Sequence, residues 1–257
     1  MALPTFYHSN ILPLGTLSGS QDSVTNPVGR VADGDIGLVY VFTTGDPPVG
    51  AVQVTVSGAV LPVALVIARA TQVSGYRLIV ESEDVGGGNN AVRVDELLDD
   101  ISNAVYLISG SAIPREVWRI TLSGVSGLAA AKVYEMQLAY EFQFAIPPQV
   151  GVDRLRIRQM TRIEIPGGQA FTQKLGPVLL QNTYDYVATS GDEISELEAF
   201  VESIDDGASV FHVDDRGAQY WAEVFAKDFA LDDQAGVYFA SVTTREVRVN
   251  GQEDEPR

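Results

Sequence analysis

Ala208-Ser209-Val210-Phe211-His212-Val213, the turn Asp214-Asp215-Arg216-Gly217, and Ala218-Gln219-Tyr220-Trp221-Ala222-Glu223-Val224-Phe225 decide the fold. Two β-branched and aromatic runs flank four residues of the kind that tolerate tight-turn geometry, which predicts a hairpin. A third run, ending Val242-Thr243-Thr244-Arg245-Glu246-Val247, extends the hairpin to a meander. Just upstream, the spacing predicts a helix over 190–204. Ser190 and Glu193 form a capping box, and Asp192 and Glu193 suit the positive end of the helix dipole. Ile194, Leu197, Phe200, Val201 and Ile204 make one apolar stripe, while Glu196, Glu198 and Glu202 point away. Gly207, after Asp205-Asp206, is available for a left-handed cap.

Further upstream, 155–165 alternates. Leu155, Ile157, Ile163 and Ile165 share one face, and Arg154, Arg156, Arg158 and Arg162 the other. Pro166-Gly167-Gly168 predicts a turn, and strands over 170–175 and 178–188 lead to the helix. Residues 154–250 therefore read as a small β-sandwich with one flanking helix, followed by a polar tail over 251–257. Every polar side chain of this region reads as surface.

The N-terminal part is punctuated by Gly, Pro and Asn, and its apolar runs are short. Strands are expected over 39–43, 51–56, 63–68, 76–80, 104–108, 116–122 and 132–142, which indicates a β-sandwich or jelly roll over 1–146. A short helix is expected over 93–101, where Val94, Leu97, Leu98 and Ile101 recur at helical spacing. Pro147-Pro148 and Gly151 mark a linker over 147–153. The expectation is a mainly β protein of two domains.

Composition limits the chemistry. With no cysteine among 257 residues, disulfides, thiol nucleophiles and cysteine-bound metals are excluded. The net charge is −17; residues 1–150 hold 7 basic against 14 acidic side chains, and the remainder 10 against 20. Neither part offers the positive surface that a phosphate backbone requires, so direct nucleic-acid binding is not expected. No apolar run reaches the roughly 18 residues of a membrane span, and the start lacks the pattern of a signal peptide, which points to synthesis in the cytoplasm.

No catalytic constellation emerges. His8, beside Tyr7, reads as a surface or interface residue, and His212 with Asp214 and Asp215 as a solvated hairpin end. The pairs Asp205-Asp206, Asp214-Asp215 and Asp232-Asp233 read as exposed turns. Asp33 and Asp35, flanking Gly34, are the candidate calcium ligands, since two loop carboxylates can join backbone carbonyls around that ion. Gly86-Gly87-Gly88-Asn89-Asn90 lacks the Lys-Ser/Thr ending of a phosphate-binding loop. Arg154, Arg156, Arg158 and Arg162 are candidate interface residues. They could pair with the acidic side of the chain's own helix, meet an acidic patch on a neighbouring copy, or stay solvated.

Two resemblances follow from these segments. Ser9-Asn10-Ile11-Leu12, Val31-Ala32-Asp33-Gly34-Asp35, Val117-Trp118-Arg119-Ile120-Thr121-Leu122 and Lys132-Val133-Tyr134-Glu135-Met136-Gln137-Leu138 resemble the discoidin, or galactose-binding-like, jelly roll over about 7–142. The aromatic which that family places soon after the Asp-Gly-Asp loop is represented by Tyr40 or Phe42. The helix, Gly207–Asp214, Gln219–Val224 and the close Tyr238–Val247 resemble the sandwich-plus-helix modules of tailed-phage tail and baseplate proteins. Together they imply a non-enzymatic virion protein at the tail tip, baseplate or fibre attachment, touching tail proteins, copies of itself and a host glycan. The alternative is a carbohydrate-binding module with an accessory domain.

Overall fold

The computed structural model describes residues 3–33, 38–86, 88–99, 103–108, 113–143, 153–157, 160–165, 169–174, 179–188, 191–204, 209–232 and 237–247. The chain is mainly β, with antiparallel sheets and one short helix. It divides into two units, Tyr7–Glu141 and the combination of Met1–Phe6 with Phe142–Arg257. The first six residues thus belong with the C-terminal unit, although the sequence groups them with 1–146. The expected linker over 147–153 lies outside the described residues except for Asp153.

The strands of the Tyr7–Glu141 unit follow β1 (Thr5–His8), which begins in the other unit. They are β2 (Thr16–Gly19), β3 (Tyr40–Val41), β4 (Val49–Val60), β5 (Ala64–Thr71), β6 (Arg77–Glu83), β7 (Ala91–Leu97), β8 (Asn103–Leu107), β9 (Arg115–Ser123) and β10 (Lys132–Gln143). One sheet has the order β2-β4-β9-β6-β7, and the other runs β10-β5-β8 with β3 also on β10. From β4 onward the chain crosses repeatedly between the sheets. Alternation along β4 sends Val52, Val54 and Val56 inward, where they meet Leu65, Ile67, Leu78, Val80, Trp118, Ile120, Met136 and Leu138 in one core. Asn10 ties the chain entering this unit to β10. Its Nδ2 donates to Met136 O at 3.0 Å, while its Oδ1 accepts from Leu138 N–H at 3.2 Å and Leu12 N–H at 3.1 Å.

The helix expected over 93–101 is not formed. Ala91–Leu97 is strand β7, paired with β6, and Ile101 lies outside the described residues. A bulge explains the misleading period. Val80 faces Val94 and Glu81 faces Val92, so Arg93 is an extra residue and both Arg93 and Val94 are buried. Two inward residues in succession break strict alternation, and the remaining apolar spacing then imitates a helix.

The second unit contains β11 (Asp153–Ile157), β12 (Met160–Ile165), β13 (Gln169–Lys174), β14 (Leu179–Ala188), α1 (Gly191–Ser203), β15 (Ser209–Val213), β16 (Gln219–Asp232) and β17 (Val237–Glu246). The sheet runs β11-β14-β17-β16-β15, with β1 next to β15, and β12–β13 form a separate hairpin. The run 155–165 is thus two strands in different sheets. The meander and helix lie where the sequence places them; Ser190 of the expected capping box is outside the described residues. Leu197 and Phe200 of α1, with Ile204 just after it, pack on Tyr184, Val210, Tyr220, Ala222, Val224 and Val242, joined by Phe6 and Phe142. Phe142 stacks on Phe200 with centroids 4.3 Å apart. Phe211 and Trp221, alternating with these, are also buried, so β15 and β16 are covered on both faces.

Gly50 in β4 marks the tightest backbone approach, since a Cβ there would lie 1.7 Å from Phe42 O. Gly50→Ala is expected to destabilise the protein by roughly 3 kcal/mol, because backbone must move to admit the methyl group. Urea unfolding would measure this; a change below about 0.5 kcal/mol would contradict the packing described.

Candidate functional site

The sheet under α1 turns polar toward one end. His212 is 0% exposed, with Nε2 2.6 Å from Tyr184 Oη and Nδ1 3.0 Å from Thr5 O. A carbonyl oxygen only accepts, so Nδ1 carries the proton and Nε2 accepts from the tyrosine. Phe6 stacks on the imidazole at 4.5 Å, and Tyr184 and Tyr220 each meet it in a T-shaped contact at 5.3 Å. Asn182 Nδ2 donates to Tyr184 Oη at 3.1 Å and Tyr220 Oη at 2.5 Å. Burial lowers the His212 pKa to about 4 and raises that of Tyr220.

The sequence reading of this region is overturned here. His212 is a core residue rather than part of a solvated hairpin, and Asp214 and Asp215 are buried rather than exposed. Asp214 Oδ1 accepts from Arg216 N–H at 2.9 Å and Ala218 N–H at 2.8 Å, which closes the turn. Asp215 pairs with Arg154, whose pKa is raised first by that hydrogen bond. Glu246 is also buried and accepts from Leu180 N–H at 3.1 Å. The wrong inference came from reading Asp-Asp as hydrated. The available signal was Arg154, which pairing of β11 with β14 brings beside Asn182.

Of the four arginines, Arg154 is half-buried on Asp215 and Arg156 is exposed. Arg158 lies outside the described residues, as does the side chain of Arg162 in β12. Leu155 is 55% exposed on edge strand β11. Asp33 is exposed and Asp35 lies outside the described residues. Among the described residues no three His, Cys, Asp or Glu side chains gather as a metal ion needs. His8 is buried, against the surface reading; its Nδ1 lies 2.9 Å from Ser9 Oγ, and burial lowers its pKa to about 4.

The sandwich gathers a different set of groups. Loops 20–27, 43–48 and 124–130 meet at one end. Thr44 Oγ1 donates to Gln21 Oε1 at 2.8 Å, and Gly127 N–H to Asp46 Oδ1 at 3.1 Å. Asn26 spans the cluster, with Nδ2 donating to Gln21 O at 3.0 Å and Val41 O at 3.1 Å, and Oδ1 accepting from Val41 N–H at 2.9 Å. Asp22 Oδ1 accepts from Val28 N–H at 2.9 Å. Hydroxyl, amide and carboxylate groups thus share a surface with the exposed loop-tip residues Val24 and Val125. Tyr40 and Phe42 are fully buried and meet edge to face at 6.0 Å, so neither is offered to a ligand.

No protein-family model matches the chain, and no curated protein does. Solved structures that it resembles include chitosan-binding module 1 of a Paenibacillus sp. IK-5 chitosanase/glucanase, at 12% identity over 52% of this chain and 99% of the module, TM-score 0.41. The family 32 carbohydrate-binding module of Clostridium perfringens NanJ, solved with galactose, matches at 12% identity over 53% and 99%, TM-score 0.39. Chitosan-binding module 2 of the Paenibacillus enzyme, solved with chitotriose, matches at 13% over 51% and 99%, TM-score 0.41. Likeness at this level assigns this chain neither a ligand nor a reaction.

His8 and His212 are buried neutral with pKa values of about 4, below the 6.5 of a free imidazole. The unfolded chain binds more protons between those values, so the histidine contribution is full above about pH 6.5 and falls as pH drops toward 4. His212→Gln is expected to cost roughly 2–3 kcal/mol near neutral pH and to flatten this acid slope. Urea midpoints across the range would check both; an unchanged slope would contradict the buried neutral state.

Proposed function

We propose that this chain is a non-catalytic recognition and assembly protein, whose Tyr7–Glu141 sandwich binds carbohydrate through the loop end built by 20–27, 43–48 and 124–130. The observation that carries the reading is this end itself. Gln21, Thr44 and Asp46 are held by loop-to-loop hydrogen bonds and Asp22 by Val28 N–H just after its own loop, and Val24 and Val125 of the same loops are exposed. A sugar presents hydroxyl groups and C–H faces, which match such a mixture of polar and aliphatic groups. The segments that resemble the galactose-binding-like jelly roll contribute to the core of the unit. Asn10 clamps the entry to β10, and the two later motifs form β9 and β10.

The non-catalytic part of the proposal rests on what the titratable groups do. His212 and Asp214 satisfy buried donors and acceptors, and Asp215 is tied to Arg154.

A second reading places the protein in the tail of a phage-like particle, at the tip, baseplate or fibre attachment, with the sandwich displayed toward a host glycan. The favouring observation is that α1 leads into a β15–β16–β17 meander, the order on which the tail-module resemblance stands. In this reading the protein is a virion component, and its partners are other tail proteins.

The purified chain is expected to be retained on a glycan array. Gln21→Ala with Thr44→Ala should reduce retention about tenfold, with an unchanged melting temperature, through loss of polar contacts worth about 1.4 kcal/mol. Absence of retention on every glycan would refute the carbohydrate reading. Gold-labelled antibody at one end of particle tails would support the virion reading, and unlabelled tails would remove it.

A further inference from the structure

We infer that copies of this chain associate head to tail, edge strand β11 of one copy adding antiparallel to edge strand β7 of the next. This deepens the assembly half of the proposed reading and does not depend on a glycan.

Both strands end their sheets among the described residues: β11 has β14 on one side, and β7 has β6. An edge strand leaves a row of backbone donors and acceptors for another chain, and exposed apolar side chains make that template stronger. Leu155 on β11 is 55% exposed, and Leu97 on β7 is 72% exposed.

Charge selects between the possible pairings. At a net charge of −17 two copies repel, so a contact needs opposite local signs. β11 carries exposed Arg156 as well as Arg154. β7 carries exposed Glu96, while its neighbour Asp95 is already paired with Arg77 on β6. Pairing β11 with β11 sets arginine against arginine, and pairing β7 with β7 sets carboxylate against carboxylate. Of these three pairings, β11 with β7 is the one that sets an arginine against a carboxylate. In antiparallel register, Leu155 opposite Leu97 puts Arg156 opposite Glu96, so the apolar pair and the ion pair fall on opposite faces. Such a contact is heterologous, each copy offering one surface and accepting on another.

The absence of native cysteine permits a direct test. Leu155→Cys and Leu97→Cys proteins are prepared separately, then mixed and mildly oxidised. Residues directly opposite in a sheet lie within disulfide reach. The mixture is expected to give a crosslinked dimer of one copy of each, whereas each protein alone stays uncrosslinked at equal concentration. Arg156→Glu should reduce the crosslink at least tenfold, and Glu96→Arg on the partner should restore it. A mixture that crosslinks no better than Leu155→Cys with Val24→Cys overturns the proposal. So does crosslinking of Leu155→Cys with itself, which would mean a two-fold contact. A chain that crosslinks as described but ignores glycans would leave this inference standing and remove the carbohydrate reading.

Discussion

His212 is buried only because both of its ring nitrogens are used. One donates to Thr5 O, and the other accepts from Tyr184 Oη. Without either partner an imidazole at this depth would leave a polar atom unpaired, at a cost of about 1–3 kcal/mol. The C-terminal unit therefore requires residues from the first six positions of the chain, 207 positions from the histidine. Phe6 fills the same site by stacking on the imidazole and on the rings beneath α1.

The same network uses its polar side chains to hold the sheet together. His, Tyr, Asn, Asp and Arg side chains lie together, a set that in an open cleft would suggest proton transfer. Here, the hydroxyl groups of Tyr184 and Tyr220 point at His212 or Asn182, and Asp214 holds its own turn. The groups favour one arrangement of β14, β15 and β16, since few alternatives would pair as many of them.

Much of the fold was legible because strand and helix periods differ. The stripe of α1 and the runs of β15 and β16 predicted their elements, since each buries one face against a core. β7 was misread because one bulge residue, Arg93, destroys alternation, and a bulge is set by the partner strand rather than by the segment itself. The buried carboxylates were missed for a related reason. Asp214 and Asp215 look hydrated until Arg154 arrives from another strand and the hairpin supplies N–H donors. Loop contacts such as Thr44 with Gln21 join residues that share no local pattern.

By itself the sequence determined the mainly β character, the one helix, the meander, and the exclusion of cysteine chemistry and broad phosphate binding. These depend on composition and on periods of two and 3.6 residues, which are local properties of the chain. Tertiary structure alone decided that Met1–Phe6 belongs with the C-terminal unit, that His212 is a structural neutral imidazole, and which strands are left as edges. Each of those turns on strand pairing between distant residues, and a hydrogen bond across the sheet leaves no trace in the order of its residues.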